Sequence, residues 1–313
     1  MNGRERIMAA LDGRLPDRIP HFELDFQLTE EAFGVSWPSV AYDTPLPSDY
    51  IDGYLNIWGL IVNRFHWDAF NVRYAHEGDT GEILRRAKER FSDTAVYVYN
   101  GEGTFWMMPG DKMMDFAVRL YEDRQSLLDE AKLKCRNSIE LAREQIANGA
   151  DFICINSDYG YNNGPFVSPD MFEEIVTPYL KEIVYAIHEM DRKAILHSDG
   201  DLRLILDQLV YAGIDGYQSV DPQGHMDIAE VRRKYPGLTL MGNVRTSYLQ
   251  DTDDSLIRES VRYAIESAKP GGRFIFSSSN CIFKGLPLES YLIMLDEYEK
   301  FASYETHAQS LRG

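Results

Sequence analysis

Residues 193–200 read KAILHSDG. Three apolar residues, Ala194, Ile195 and Leu196, run straight into His197, Ser198, Asp199 and Gly200. A short apolar run that stops abruptly in polar residues reads as a buried strand that delivers side chains to the rim of a sheet. Working outward, the same unit recurs. Strands are expected over 151–156, 194–197, 216–220, 239–242 and 273–277, each followed by a helical pattern. Helices are expected over 202–211, 226–234, 255–268 and 288–301, and another begins at Ser168-Pro169-Asp170. Serine at the N-cap, proline at the first helical position and an acid in the first turn make a strong helix start. Pro178 is expected to kink that helix.

Five consecutive β-then-α units imply a parallel sheet with helices outside, because the crossovers are right-handed and pack back on the sheet. The first half is less regular. It reads as a helix over 3–11, a strand over 19–26, a helix over 49–65, a strand over 68–74, β-hairpins within 81–108 and a long helix over 123–148. With strands near positions 20, 70 and 96 the count reaches eight, the number that closes a barrel. The expected fold is α/β, a (β/α)8 TIM barrel forming one domain over residues 1–313, with an N-terminal helix and inserted β-hairpins. A doubly wound open sheet is the alternative, but the glycine fingerprint that often accompanies it is absent.

Composition narrows the function. Among 313 residues, 50 are acidic and 32 basic, a net charge of −18. Such a field repels phosphate backbones and anionic membrane surfaces, so neither nucleic acid nor membrane is an expected partner. Three cysteines, Cys135, Cys154 and Cys281, do not look like a disulfide framework, and a cytoplasmic location is expected. The N-terminal stretch is a charged amphipathic helix without an apolar signal region, and no run approaches the ~18 apolar residues of a membrane span.

Barrel chemistry sits at the C-terminal ends of the strands. Those ends supply Glu23 and Asp25, Asn71 and Arg73, Asn156 and Asp158, His197 and Asp199, Gln218 and Asp221, Asn243 and Arg245, and the run Ser277 to Cys281. Histidine nitrogen, carboxylate oxygen and thiolate from His197, Asp199 and Cys281 would suit zinc, with a fourth position left open for catalysis. The alternatives are a core histidine, an Asp199 that caps the following helix, and a Cys281 that behaves as a small buried apolar residue. Asp158 and Tyr159 are candidates for contact with a small ligand, against a hydrogen-bonded loop ahead of the Ser168 cap. No nucleophile elbow and no HExxH pair is present.

Several ordered segments resemble the uroporphyrinogen decarboxylase superfamily: ERIMAALDGRLPDRIP, SPDMFEEIVTPYLKEIV, KAILHSDGDLRLILDQLVYAGIDGYQSVDP, LTLMGNV and PLESYLIML. The resemblance implies the same barrel and two chemistries, decarboxylation of porphyrinogens without a cofactor and zinc-dependent methyl transfer to or from corrinoid proteins. The decarboxylase branch is matched less well, since the arginine-rich stretch expected near the first strand is replaced by the acidic HFELDF, and a glycine-histidine pair after the last strand by Asn280-Cys281. The methyltransferase branch carries a His-x-Cys pair and a distant cysteine as zinc ligands; His197 and Cys281 match the outer two, and Asp199 stands for the middle cysteine.

The expectation is therefore a zinc-dependent methyltransferase that works with methylcobalamin or another corrinoid carried by a partner protein. Its metal ligands would be His197, Asp199 and Cys281, its catalytic residues Asp158 and Tyr159, and its substrate-binding residues Asn156, Asn243, Arg73 and Arg245. The small molecule would be a methyl ether, another methylated compound or a thiol, and a homodimer is left open. A metal-free decarboxylase or lyase acting on a small carboxylic acid or porphyrinogen is the alternative, and a non-catalytic barrel that binds a tetrapyrrole is a third.

Overall fold

The protein is described here from a computed structural model, which covers residues 1–38, 46–47, 49–72, 79–100, 104–251 and 253–304. Its strands are β1 (Ala69–Val72), β2 (Ala95–Asn100), β3 (Phe152–Asn156), β4 (Gly160–Tyr161), β5 (Gly164–Pro165), β6 (Lys193–His197), β7 (Gly216–Ser219), β8 (Thr239–Val244) and β9 (Phe274–Ser278). Seven of them form one curled parallel sheet in the order β1-β2-β3-β6-β7-β8-β9, with helices between successive strands. The five βα units of the second half are all present. Most strand residues are buried on both faces, as a sheet covered by helices requires. Ser168 caps the helix Pro169–Ile175, and the chain breaks at Val176 before a second helix, Thr177–Glu189, in keeping with Pro178 at its start.

The arrangement is TIM-like, but the hydrogen-bonded ladder does not close. The expected first strand, 19–26, lies between β9 and β1 yet makes only isolated bridges, His21 with Phe276 and Phe26 with Ile282. Side chains supplement its few main-chain hydrogen bonds. Glu23 Oε2 accepts from the Ser278 main-chain N–H at 2.9 Å, Asp68 Oδ2 accepts from the His21 N–H at 2.9 Å, and Asn71 Nδ2 donates to the Leu24 carbonyl at 2.6 Å. Pro20 has no N–H to give but accepts from Phe276 N at 2.8 Å.

The expected hairpins within 81–108 need correction. Asp79–Arg90 is a helix, buried through Thr80, Ile83, Leu84 and Ala87, a 3.6-residue rhythm. The strand inside that region, β2, belongs to the main sheet, and a second unforeseen helix spans Gly110–Glu122. Among the described residues the antiparallel pairings are the short β4–β5 turn and an isolated bridge between Arg18 and Ser303. No helix of the described residues is long and apolar enough to cross a membrane.

At the N-terminal ends of the strands lies an ion network. Asp151 accepts from Arg4 Nε at 2.7 Å, from Lys88 Nζ at 2.7 Å and from the Val96 N–H at 2.8 Å. Asp68 meets Arg6 at 3.1 Å and Arg18 at 3.0 Å. Asp17 takes Arg6 Nε at 2.6 Å and the chain's amino terminus at 3.0 Å. Hydrogen bonding from the Arg6 guanidinium holds the Asp17 carboxyl far below its usual range. Every one of these acids has a cationic partner.

Candidate functional site

The opposite end of the sheet is built differently. Aromatic contacts of Phe22 with Tyr97 and of Tyr97 with Phe152 fill the barrel interior below the site. Strand alternation then directs Asn156, His197 and Gln218, which are paired in register, to the same side further along the strands. His197 is buried, its Nδ1 against Gln218 Oε1, and its Nε2 lies 3.5 Å from Asp158 Oδ1 and 4.0 Å from Asp199 Oδ2. Candidate ligand atoms of Asp158, His197 and Asp199 all fall within 4.8 Å of one another. This is the group with metal-binding geometry among the described residues.

Glycines make the convergence feasible. Gly200 has φ +82°, and a Cβ there would lie 2.2 Å from the Gly160 carbonyl oxygen. Gly224 approaches so closely that a Cβ would lie 2.2 Å from the carbonyl carbon of Gly200. The loops after β3, β6 and β7 therefore stack backbone on backbone, and the acids they carry, Asp158, Asp199 and Asp221, are drawn together. Asp221 accepts from the Gly200 N–H at 3.2 Å and from the Gln223 N–H at 2.8 Å.

His197 and Asp199 are oriented by partners outside the trio, and Asp158 by the main chain of Asp199. Asp199 Oδ1 accepts from Ser219 Oγ at 2.6 Å, and its Oδ2 accepts from Asn280 Nδ2. Asp158 Oδ1 accepts from the Asp199 N–H at 3.2 Å. Burial pushes the Asp199 carboxyl up, His197 and the Ser219 hydroxyl pull it down, and the charges of Asp158 and Asp221 push it up further. No lysine or arginine of the described residues forms an ion pair with Asp158, Asp199 or Asp221; His197 is the cation-capable group that faces the first two.

The remaining expected residues are distributed as follows. Cys281 stands outside the trio: the Asn280 amide meets Asp199, and its Oδ1 accepts from the Cys281 N–H at 2.6 Å. Asp199 caps no helix, because the next helix starts only at Leu206 and both carboxylate oxygens are taken by side chains. Tyr159 turns away from the trio. Its hydroxyl bonds to Thr104 Oγ1 at 2.5 Å among Phe166 and Phe172, and burial pushes it up to about 12. Asn156 is exposed at the rim. Asn243 donates to the Val220 carbonyl and Arg245 to that of Pro222. Both line a neighbouring cleft of about 770 Å³, with His225, Tyr248 and Tyr263, that the trio does not line. Arg73 lies outside the described residues. Sequence reading gave no role to Gln218, Ser219 or Asn280, although all three stand in polar runs at strand ends.

Comparison with known proteins agrees with the fold. A family model described as uroporphyrinogen decarboxylase (URO-D) matches residues 93–301. A methyltransferase from Methanosarcina mazei superposes with a TM-score of 0.73 at 16% identity, over 96% of this chain and 99% of that one. A glycoside hydrolase family 5 enzyme from Prevotella bryantii B14 gives 0.52 at 12% identity, over 95% and 99%. At such identities these structures speak for the fold alone. No curated protein sequence matches.

Proposed function

The chain belongs to the uroporphyrinogen decarboxylase family, and on that premise we propose that it is a methyltransferase that moves a methyl group between a small molecule and a corrinoid protein with the help of zinc. The observation that carries this reading is the convergence of Asp158, His197 and Asp199 without a lysine or arginine partner. Carboxylates gathered about one imidazole leave a negative excess that a divalent cation neutralises. The same excess opposes a multiply anionic porphyrinogen, which favours the methyltransferase branch of the resemblance over the decarboxylase branch. The fold shared with the Methanosarcina mazei methyltransferase is compatible with this reading.

The donor set fits the metal. One imidazole nitrogen and two carboxylate oxygens are ordinary zinc donors, and three protein ligands leave a position open. Asp199 already accepts from Ser219 and Asn280, yet each carboxylate oxygen keeps a second lone pair. When bound, zinc supplies the Lewis acidity that makes a thiol into a thiolate or polarises a methyl ether oxygen. Asp158, His197 and Asp199 would hold the ion, and Ser219 and Asn280 fix the Asp199 carboxylate. Asn156 at the rim contacts the small molecule, and the cleft beside Asn243 and Arg245 receives the rest of it. Residues 1–313 would act as one barrel domain that presents the C-terminal ends of its strands to the corrin.

The test is loss of the methyl–cobalt absorbance of methylcobalamin when zinc-loaded protein meets a panel of thiols and phenols. Transfer by the wild type that His197→Ala loses is the expected result. A metal-free decarboxylase or lyase is the second reading, favoured by one observation: a carboxyl raised by burial, Asp199, stands beside an imidazole as a proton-handling pair. Carbon dioxide released by chelator-treated enzyme, with no methyl transfer, would replace the first reading by the second.

A further inference from the structure

Gln218 sits in register with His197 on the adjoining strand and is fully buried. Its Oε1 meets His197 Nδ1, while its Nε2 has no partner among the described residues. An amide oxygen can only accept, so the imidazole proton belongs on Nδ1. In the neutral ring this leaves the lone pair on Nε2, the nitrogen that lies 3.5 Å from Asp158 and 4.0 Å from Asp199. A lone pair aimed at two carboxylates is unfavourable unless something positive stands between them.

We propose that Gln218 is the positioning residue of this site: it fixes the tautomer of His197 so that Nε2 faces the carboxylates unprotonated and ready to bind a cation. This rests on the metal reading for its purpose but not for its first test. With the amide turned the other way, Gln218 would donate to Nδ1, Nε2–H would donate to Asp158, and the trio would be satisfied without any cation. The two arrangements are chemically opposite, and a solution measurement separates them.

The measurement is nitrogen-15 NMR of the metal-free protein labelled at histidine, at a pH near 8 where a free imidazole is neutral. The His197 signals are identified by their loss in His197→Gln. The wild type should show a protonated Nδ1 and a bare Nε2. Gln218→Glu, which keeps an acceptor in place, should preserve that pattern, and Gln218→Met should populate both tautomers. In zinc competition against a chelator, Gln218→Met should bind about 10–100-fold more weakly, the usual cost of losing such a partner, with Gln218→Glu close to wild type. A wild-type Nε2–H tautomer would overturn the proposal, as would a Gln218→Met protein with unchanged tautomer and zinc affinity. Should Gln218→Met fail to fold by circular dichroism, the wild-type and Gln218→Glu spectra decide. A wild type with the expected tautomer but no affinity for zinc would retain the positioning role and remove the metal.

Discussion

The two ends of the barrel treat their acids in opposite ways. At the N-terminal end Asp151 has Arg4 and Lys88, Asp68 has Arg6 and Arg18, and Asp17 has Arg6 and the amino terminus. At the C-terminal end Asp158 and Asp199 share one histidine, and Asp221 accepts main-chain N–H groups. The first arrangement is complete in itself and ties the N-terminal segment to the sheet. The second is short of positive charge and is held open by hydrogen bonds that orient its members. On the proposed function, one end is built for stability and the other for a ligand.

That contrast can be broken by exchanging effects between the ends. The largest expected effect is at the mouth: His197→Ala should lower methyl-transfer kcat/KM by about 10³-fold, roughly 4 kcal/mol of transition-state stabilisation, with a smaller loss of stability in the metal-free protein, from the buried Gln218 amide left unpaired. Steady-state kinetics beside a thermal melt checks both halves. Next comes the other end. Asp151→Ala removes an acceptor shared by two cations and a main-chain N–H, and should cost about 3 kcal/mol in urea unfolding while zinc content stays at the wild-type level. A protein that loses zinc but no stability on this change would erase the distinction.

Smaller effects sharpen it. Asp158→Asn relieves repulsion of Asp199 in the metal-free protein and should stabilise it by about 0.5 kcal/mol, a gain that disappears when zinc is added. The smallest concerns acid. Because Arg6 lowers the folded-state pKa of Asp17 below its unfolded value, the stability Asp17 contributes is present above the unfolded pKa, near 3.9, and is lost as pH falls through the lower folded value. Asp17→Asn should therefore destabilise at pH 6 and lose that difference in strong acid, read from urea midpoints at both pH values.

How much of this could be read from the chain depends on how local each cause is. The five βα units were legible because β3, β6, β7, β8 and β9 are buried on both faces and end in polar residues. The helix Asp79–Arg90 was not, since its charged residues obscured the spacing of Ile83, Leu84 and Ala87. Residues 19–26 have a strand's alternation, but whether Glu23, Asp68 and Asn71 supplement their few main-chain hydrogen bonds is a tertiary matter. In the site, His197 and Asp199 were legible at the end of an apolar run. Asp158 was picked out as a polar rim residue with a different task. That Asn280 meets Asp199 was beyond reach, because no periodicity says which way a side chain turns once a strand has ended. Nor does a lone glycine announce that Gly160, Gly200 and Gly224 will stack.

The central claim is that Asp158, His197 and Asp199 form a cation site. Its most direct test is zinc content by mass spectrometry after incubation with zinc and exhaustive dialysis, on wild type, His197→Ala, Asp158→Ala and Cys281→Ala. The account predicts about one zinc per chain in the wild type and in Cys281→Ala, and little in the other two. A wild type without zinc, or a site that survives His197→Ala and Asp158→Ala but is lost with Cys281, would contradict it.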